Sequence, residues 1–119
     1  MSKTNENLLI YQKYMDLIYY TDNIVRKYPK SERFAMTQEI KSEIYVGLKL
    51  LIYAIKCYAP DEKIKYLKEL DIKLSTLKIY VRLSNKYRYI SEQNYSSWSI
   101  LISDVCNMLG GWITSCQKR

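Results

Sequence analysis

Lys78, Arg82 and Lys86 follow one another at one-turn spacing inside a stretch, Lys73 to Arg88, that holds no Asp or Glu. A cationic helix face of this kind gathers phosphates by releasing their condensed counterions, which requires charge density but no base-specific geometry. Residues 61–88 carry eight basic side chains against Asp61, Glu62, Glu69 and Asp71, a net +4 out of +7 for the whole chain. At 100° per residue Lys68, Ser75, Arg82 and Lys86 share one flank of a helix, and Lys78 lies between that flank and the apolar stripe. Tyr80, Tyr87 and Tyr89 stand close by in sequence, and such rings can stack on unpaired bases. Two plainer accounts compete. Lysines ordinarily solvate an outer helix face, and with 13 Tyr in 119 residues tyrosine is this chain's usual bulky residue. Clustering without intervening acids favours an anion-binding face for the set.

The inventory for catalysis is thin. With no His there is no Ser-His-Asp triad, no Cys-His dyad and no imidazole metal ligand. Glu39/Glu43, Asp61/Glu62 and Glu69/Asp71 lie among lysines and read as solvated, salt-bridging pairs. Glycine-rich phosphate loops, Glu-x-x-His pairs and Gly-x-Ser-x-Gly elbows are missing from the sequence. Cys57, Cys106 and Cys116 are odd in number and widely spaced, the pattern of reduced thiols in a cytoplasmic protein. The expectation is a protein that is not an enzyme and has no metal or cofactor. The N-terminal residues lack the charged-then-apolar order of a secretory signal. Residues 48–59, the longest apolar stretch, contain Lys49 and Lys56 and fall short of the ~20 residues of a membrane span. A soluble, cytoplasmic protein follows.

Four elements must position these residues. Apolar side chains at three- and four-residue steps predict helices over about 8–28, 32–58, 61–87 and 91–116. The first presents Tyr11, Tyr14, Ile18, Val25 and Tyr28 and stops before Pro29. Ser31 reads as the N-cap of the second, whose stripe is Ile40, Ile44, Gly47, Leu51, Ala54 and Tyr58. Pro60 suits the first turn of the third, where a missing N–H costs nothing. That helix presents Leu67, Leu70, Leu74, Leu77 and Val81. Ser91 caps the fourth, which carries Tyr95, Trp98, Ile102, Val105, Leu109, Trp112 and Cys116. Only 3 Gly and 2 Pro leave too few turns for a β-sandwich or barrel. Short connections predict an all-α, antiparallel up-down-up-down four-helix bundle in one domain spanning residues 1–119.

Trp98 and Trp112 both fall on the heptad stripe of the fourth helix, so both are expected in the core. Gly110 and Gly111 inside that apolar helix cost roughly 1 kcal/mol each against alanine. They imply close approach by another backbone, from within the bundle or from a neighbouring subunit. Met36, Tyr45 and Ile52 add an apolar flank to the second helix, and a two-sided helix in so small a protein points to self-association.

Two stretches resemble a known family. Tyr28-Pro-Lys-Ser-Glu-Arg-Phe34 is similar to the entry to the second helix in four-helix-bundle proteins encoded in ribosomal RNA intervening sequences. Leu77-Lys-Ile-Tyr-Val-Arg-Leu83 and Leu109-Gly-Gly-Trp-Ile113 resemble the signature of the related accessory variability determinants (Avd) of diversity-generating retroelements. The resemblance covers the chain from about residue 11 to 118. It implies a bundle assembling into a homopentameric barrel that binds nucleic acid, RNA or DNA. It also implies partnership with the element's reverse transcriptase during mutagenic copying of a template repeat into a variable repeat. The family's basic pair on the third helix carries over to Lys78 and Arg82, and its entry-loop basics to Lys30 and Arg33. Lys78 replaces the more usual arginine, which keeps the charge and loses the bidentate fork. The alternative drawn from the same resemblance is a structural or protein-interaction bundle of the intervening-sequence branch, with no direct nucleic-acid role.

Overall fold

A computed structural model describes residues 2–118. Four helices, α1 (Ser2–Val25), α2 (Met36–Lys56), α3 (Pro60–Lys86) and α4 (Glu92–Gln117), are joined by short connections, the first containing a 3₁₀ turn at Lys30–Glu32. Each helix packs on its chain neighbours, and α1 closes on α4. Contacts fix the directions. Glu43 meets Lys73 while Tyr53 stacks on Tyr66, so numbers rise on α2 as they fall on α3. Thr21 meets Trp98, while Leu9 and Ile10 share a cleft with Met108 and Trp112, so α1 and α4 are likewise antiparallel. The result is the expected up-down-up-down bundle, 46 Å along its longest axis.

The apolar rows drive this arrangement. Leu67, Leu70, Leu74, Leu77 and Val81 alternate at steps of three and four, and all five are at most 1% exposed. Trp98, Ile102, Val105 and Leu109 form the facing row on α4, fully buried. Two polar contacts are sealed into this core. The Trp98 indole N–H donates to Thr21 Oγ1 at 3.0 Å, and the Tyr14 hydroxyl donates to the Ile44 carbonyl at 2.7 Å. The latter carbonyl is already the acceptor of a helix, and the tyrosine reaches it because Gly47, one turn on, presents no side chain.

Several boundaries and core positions differ from expectation. Helix α1 begins well before residue 8 and ends at Val25, with Tyr28 held by a turn bond to the Val25 carbonyl. Ser31 caps nothing, because it lies within the 3₁₀ turn; α2 begins at Met36 behind Ala35, which has no capping oxygen. Glu32 supplies that oxygen from outside the cap position, accepting the Met36 N–H at 3.1 Å. Tyr11 is 39% exposed because the inward phase of α1 runs through Ile10, Tyr14, Leu17 and Thr21. Extended backbone at Cys57 ends α2 two residues early and leaves Tyr58 98% exposed. Trp112 is only half-buried, at the edge of the α1–α4 cleft, with the Lys63 ammonium 5.4 Å from its ring centre. The expected boundaries at Pro60 and Ser91 hold: Pro60 opens α3, and Ser91 Oγ accepts the Asn94 N–H at 3.1 Å.

Candidate nucleic-acid interface

The inward row of α3 dictates what its outer face presents. With the leucines turned to the core, Lys68, Lys78, Arg82 and Lys86 are all exposed. Among the described residues the one ion pair is Lys73–Glu43, 3.7 Å apart between α3 and α2, so none of these four basic groups has a carboxylate within 4.0 Å. Arg82 in particular pairs with neither Glu39 nor Asp104. The four do not form one flat patch. Lys68, Arg82 and Lys86 occupy the outer flank, whereas Lys78 stands on the α4 side, against Cys106. Burial pushes the Cys106 thiol up, and the neighbouring Lys78 ammonium opposes that shift. Ile72 and Ile79, 63% and 54% exposed, interrupt the outer flank.

Lys30 and Arg33 belong to the other end of the same surface. The α1–α2 connection and the α3–α4 turn meet at one end of the bundle, where the Tyr89 hydroxyl donates to Glu32 Oε2 at 2.9 Å. The Tyr28 ring lies 5.4 Å from that of Tyr89, which in turn lies 5.7 Å from Tyr87. Burial pushes the Tyr28 hydroxyl up to about 12, against the opposing effect of the nearby Ser84 hydroxyl, and among the described residues it makes no well-formed hydrogen bond. Glu32 is committed twice, to the Met36 N–H and to Tyr89, and its carboxylate raises the Tyr89 phenol above the ordinary tyrosine value through that hydrogen bond. Around this locked seam stand Arg26, Lys27, Lys30, Arg33, Lys86 and Arg88, all exposed. The structure thus brings Lys30 and Arg33 to Lys86, and adds three cations that sequence reasoning left out.

Arg88 is set apart by its backbone. Tyr89 N–H bonds the Ser84 carbonyl and Arg88 N–H bonds that of Asn85, the paired closure that ends a helix on a left-handed residue. That residue is Arg88, at φ 63, a conformation glycine adopts freely and other residues at a cost of order 1 kcal/mol. No glycine marks the position, so the sequence carries no signal of it. Of the three nearby tyrosines only Tyr87 offers an open ring. Tyr80 faces the α2 carboxylates of Glu39 and Glu43, which with burial raise its phenol, and Tyr89 is engaged by Glu32.

A second surface has the opposite sign. From Glu92 to Gln117 helix α4 has two acids, Glu92 and Asp104, and no basic residue, and its outer face is a shallow depression of about 560 Å³ lined by both carboxylates, by serines, and by Tyr95 and Ile100. A cleft of about 300 Å³ lies between the start of α1 and the end of α4, floored by Met108, Gly111 and Trp112. Among the described residues, a methyl group built on Gly110 or Gly111 would meet nothing within 4 Å. Close packing against these residues therefore does not account for this glycine pair. Gly47 is the glycine that the core requires, since a side chain there would collide with Tyr14.

No helix among the described residues is long and apolar enough to cross a membrane. The model of the bAvd-like family matches residues 8–116, nearly the whole chain. The chain belongs to that family, as the Leu77–Leu83 and Leu109–Ile113 segments led us to expect. No curated protein matches it.

Proposed function

We propose that this member of the bAvd-like family is a non-catalytic, cytoplasmic nucleic-acid-binding accessory protein of a retroelement reverse transcriptase. It works as a homopentamer that holds nucleic acid during mutagenic copying. The observation that carries this reading is the unneutralised basic surface: Lys68, Lys78, Arg82 and Lys86 exposed, with no carboxylate of the described residues within 4.0 Å of any of them. Such a surface binds phosphates by counterion release, with affinity that falls steeply with salt and depends little on sequence. Each subunit contributes a few weak contacts, and a ring multiplies them through effective concentration. Lys30 and Arg33 extend the surface to the bundle's end. The open space over Gly110 and Gly111, beside the half-buried Trp112, supports a neighbouring subunit at the α1–α4 cleft, and five is the subunit number that the family resemblance implies.

The test is a filter-binding titration at several salt concentrations, wild type against Lys78→Glu/Arg82→Glu. Affinity should fall across all sequences and the salt slope should flatten, with the circular dichroism spectrum and oligomer unchanged. An unaltered affinity and slope would remove this face as the site. One observation favours a second reading, a protein-interaction bundle: Ile72 and Ile79 lie exposed within the basic flank, where a protein surface would cover them and a phosphate backbone would not. A wild type that captures a protein partner but shows no salt-dependent nucleic-acid binding, with capture lost on Ile79→Lys, would select it.

A further inference from the structure

We propose that the loop end of the bundle is a platform for single-stranded nucleic acid, with unpaired bases stacked on Phe34 and Tyr87 and phosphates held by Lys30, Arg33 and Arg88. This narrows the nucleic-acid reading above and rests on it. Three observations converge there. Phe34, the chain's one phenylalanine, is 82% exposed, and Tyr87 is 52% exposed. Both flank the Tyr89–Glu32 hydrogen bond, each two residues from one of its partners, so the tie that joins the two connections sets both residues at the same end of the bundle. The Tyr28–Tyr89–Tyr87 ring series backs Tyr87 from beneath, which holds its ring in position before any base arrives.

Charge completes the match. Six cations surround the seam, and its one central acid, Glu32, is spent on Met36 and Tyr89. Arg88 stands at the tip in a left-handed conformation that a glycine would occupy without strain. An arginine there costs the fold what a glycine would not, and it carries a positive charge between Tyr87 and Tyr89 in the chain. Open aromatic faces interleaved with cations suit a flexible single strand, whose every base has a stacking face. A duplex keeps its bases stacked internally and offers only phosphates to the same site. Tyr58, more exposed still, lies at the opposite end beside Asp61 and Glu62 and is the internal control.

The experiment measures fluorescence anisotropy of labelled oligo(dT), oligo(U) and a duplex of equal length. It compares the wild type with Phe34→Leu/Tyr87→Leu, with Tyr58→Leu and with Arg88→Gly. The double variant should lose about tenfold or more in single-strand affinity, with duplex affinity and the circular dichroism spectrum unchanged. Tyr58→Leu should bind as wild type does. Equal losses on single strand and duplex, or no loss on the single strand, would overturn the platform while salt-dependent duplex binding left the broader reading standing. A wild type that bound none of the three probes would overturn both. Arg88→Gly should keep or raise the melting temperature and still weaken single-strand binding; a raised melting temperature with affinity intact would remove Arg88 from the site. Comparison of the two single strands separates a DNA ligand from an RNA one.

Discussion

Gly47→Ala and Gly110→Ala are the same substitution on helix interiors, and the structure assigns them opposite signs. In an open helix alanine gains roughly 1 kcal/mol over glycine. At Gly110 nothing among the described residues lies within 4 Å of the added methyl, so a subunit on its own should keep that gain. At Gly47 the methyl meets the Tyr14 hydroxyl and comes 3.1 Å from Leu70 Cδ1. Tyr14 is fully buried and its hydroxyl is tied to the Ile44 carbonyl at 2.7 Å, so it has no open space to swing into. Overpacking costs about 1–3 kcal/mol, and losing a buried hydroxyl's hydrogen bond about 1–3 more. Offset by the propensity gain, the net destabilisation is about 1–5 kcal/mol, centred near 3. For a chain of this size that lowers the melting temperature by on the order of 10 °C. Guanidinium unfolding followed by circular dichroism should show the midpoint falling with an unchanged slope. Removing the obstructing oxygen with Tyr14→Phe should then relieve part of the damage, so the double variant should be more stable than the sum of the singles predicts. A Gly47→Ala protein as stable as wild type, or strictly additive singles, would refute the packing argument.

Further expectations follow from the core and the cleft. Trp98→Phe should cost about 1–3 kcal/mol, because it removes the indole donor to Thr21 inside the core. Trp112→Ala should cost less than the ~3–5 kcal/mol of a fully buried tryptophan, since it is half-buried; equal losses in chemical denaturation would show the cleft to be part of the core. Stability should fall on alkaline titration. The folded state holds the Tyr28 proton to about 12 against an ordinary 10.0, so this contribution is fully present below pH 10 and is lost as the pH rises through 12. Tyr14, raised in the same direction by burial and by Glu43, adds to the loss, and Tyr28→Phe should flatten the curve measured by denaturant midpoint against pH. Light scattering should report about five times 14.2 kDa for the wild type, and Gly111→Leu should shift it toward smaller species; a monomeric wild type would sink the assembly.

The bundle was legible because its physics is repetitive. A row such as Leu67 to Val81 can satisfy its apolar side chains in one orientation only, and the same period fixes the facing row from Trp98 to Leu109. Caps were legible where the chemistry is local, as at Ser91 and Pro60. Reading failed where a distant group decides. Ser31 is a sound cap by type, yet Glu32 and its bond to Tyr89 hold the chain in a 3₁₀ turn there instead. The three-residue step from Tyr11 to Tyr14 puts Tyr11 on the inward stripe, although the phase runs through Ile10. Helical phase alone sets Lys78 apart from the flank of Lys68, Arg82 and Lys86; that Lys78 stands against Cys106 of α4 needed the neighbouring helix. Meeting of Lys30 and Arg33 with Lys86 and Arg88 needed the closed topology, since more than 50 residues separate them in sequence. Arg88's left-handed turn has no sequence sign because the residue is not glycine.

The end-loaded cations have an electrical consequence. Antiparallel neighbours cancel one another's helix macrodipoles, so the field along the bundle's 46 Å axis is set by side chains. At the loop end Arg26, Lys27, Lys30, Arg33, Arg82, Lys86 and Arg88 outnumber Asp22, Glu32, Glu39 and Glu92, and at the opposite end Lys56, Lys63, Lys65 and Lys68 outnumber Asp61 and Glu62. Both ends are therefore positive, and the subunit has little net dipole to orient it. A polyanion would be drawn to either end at a rate strongly dependent on ionic strength. The open aromatic rings of the loop end, rather than the field, would have to choose between the two.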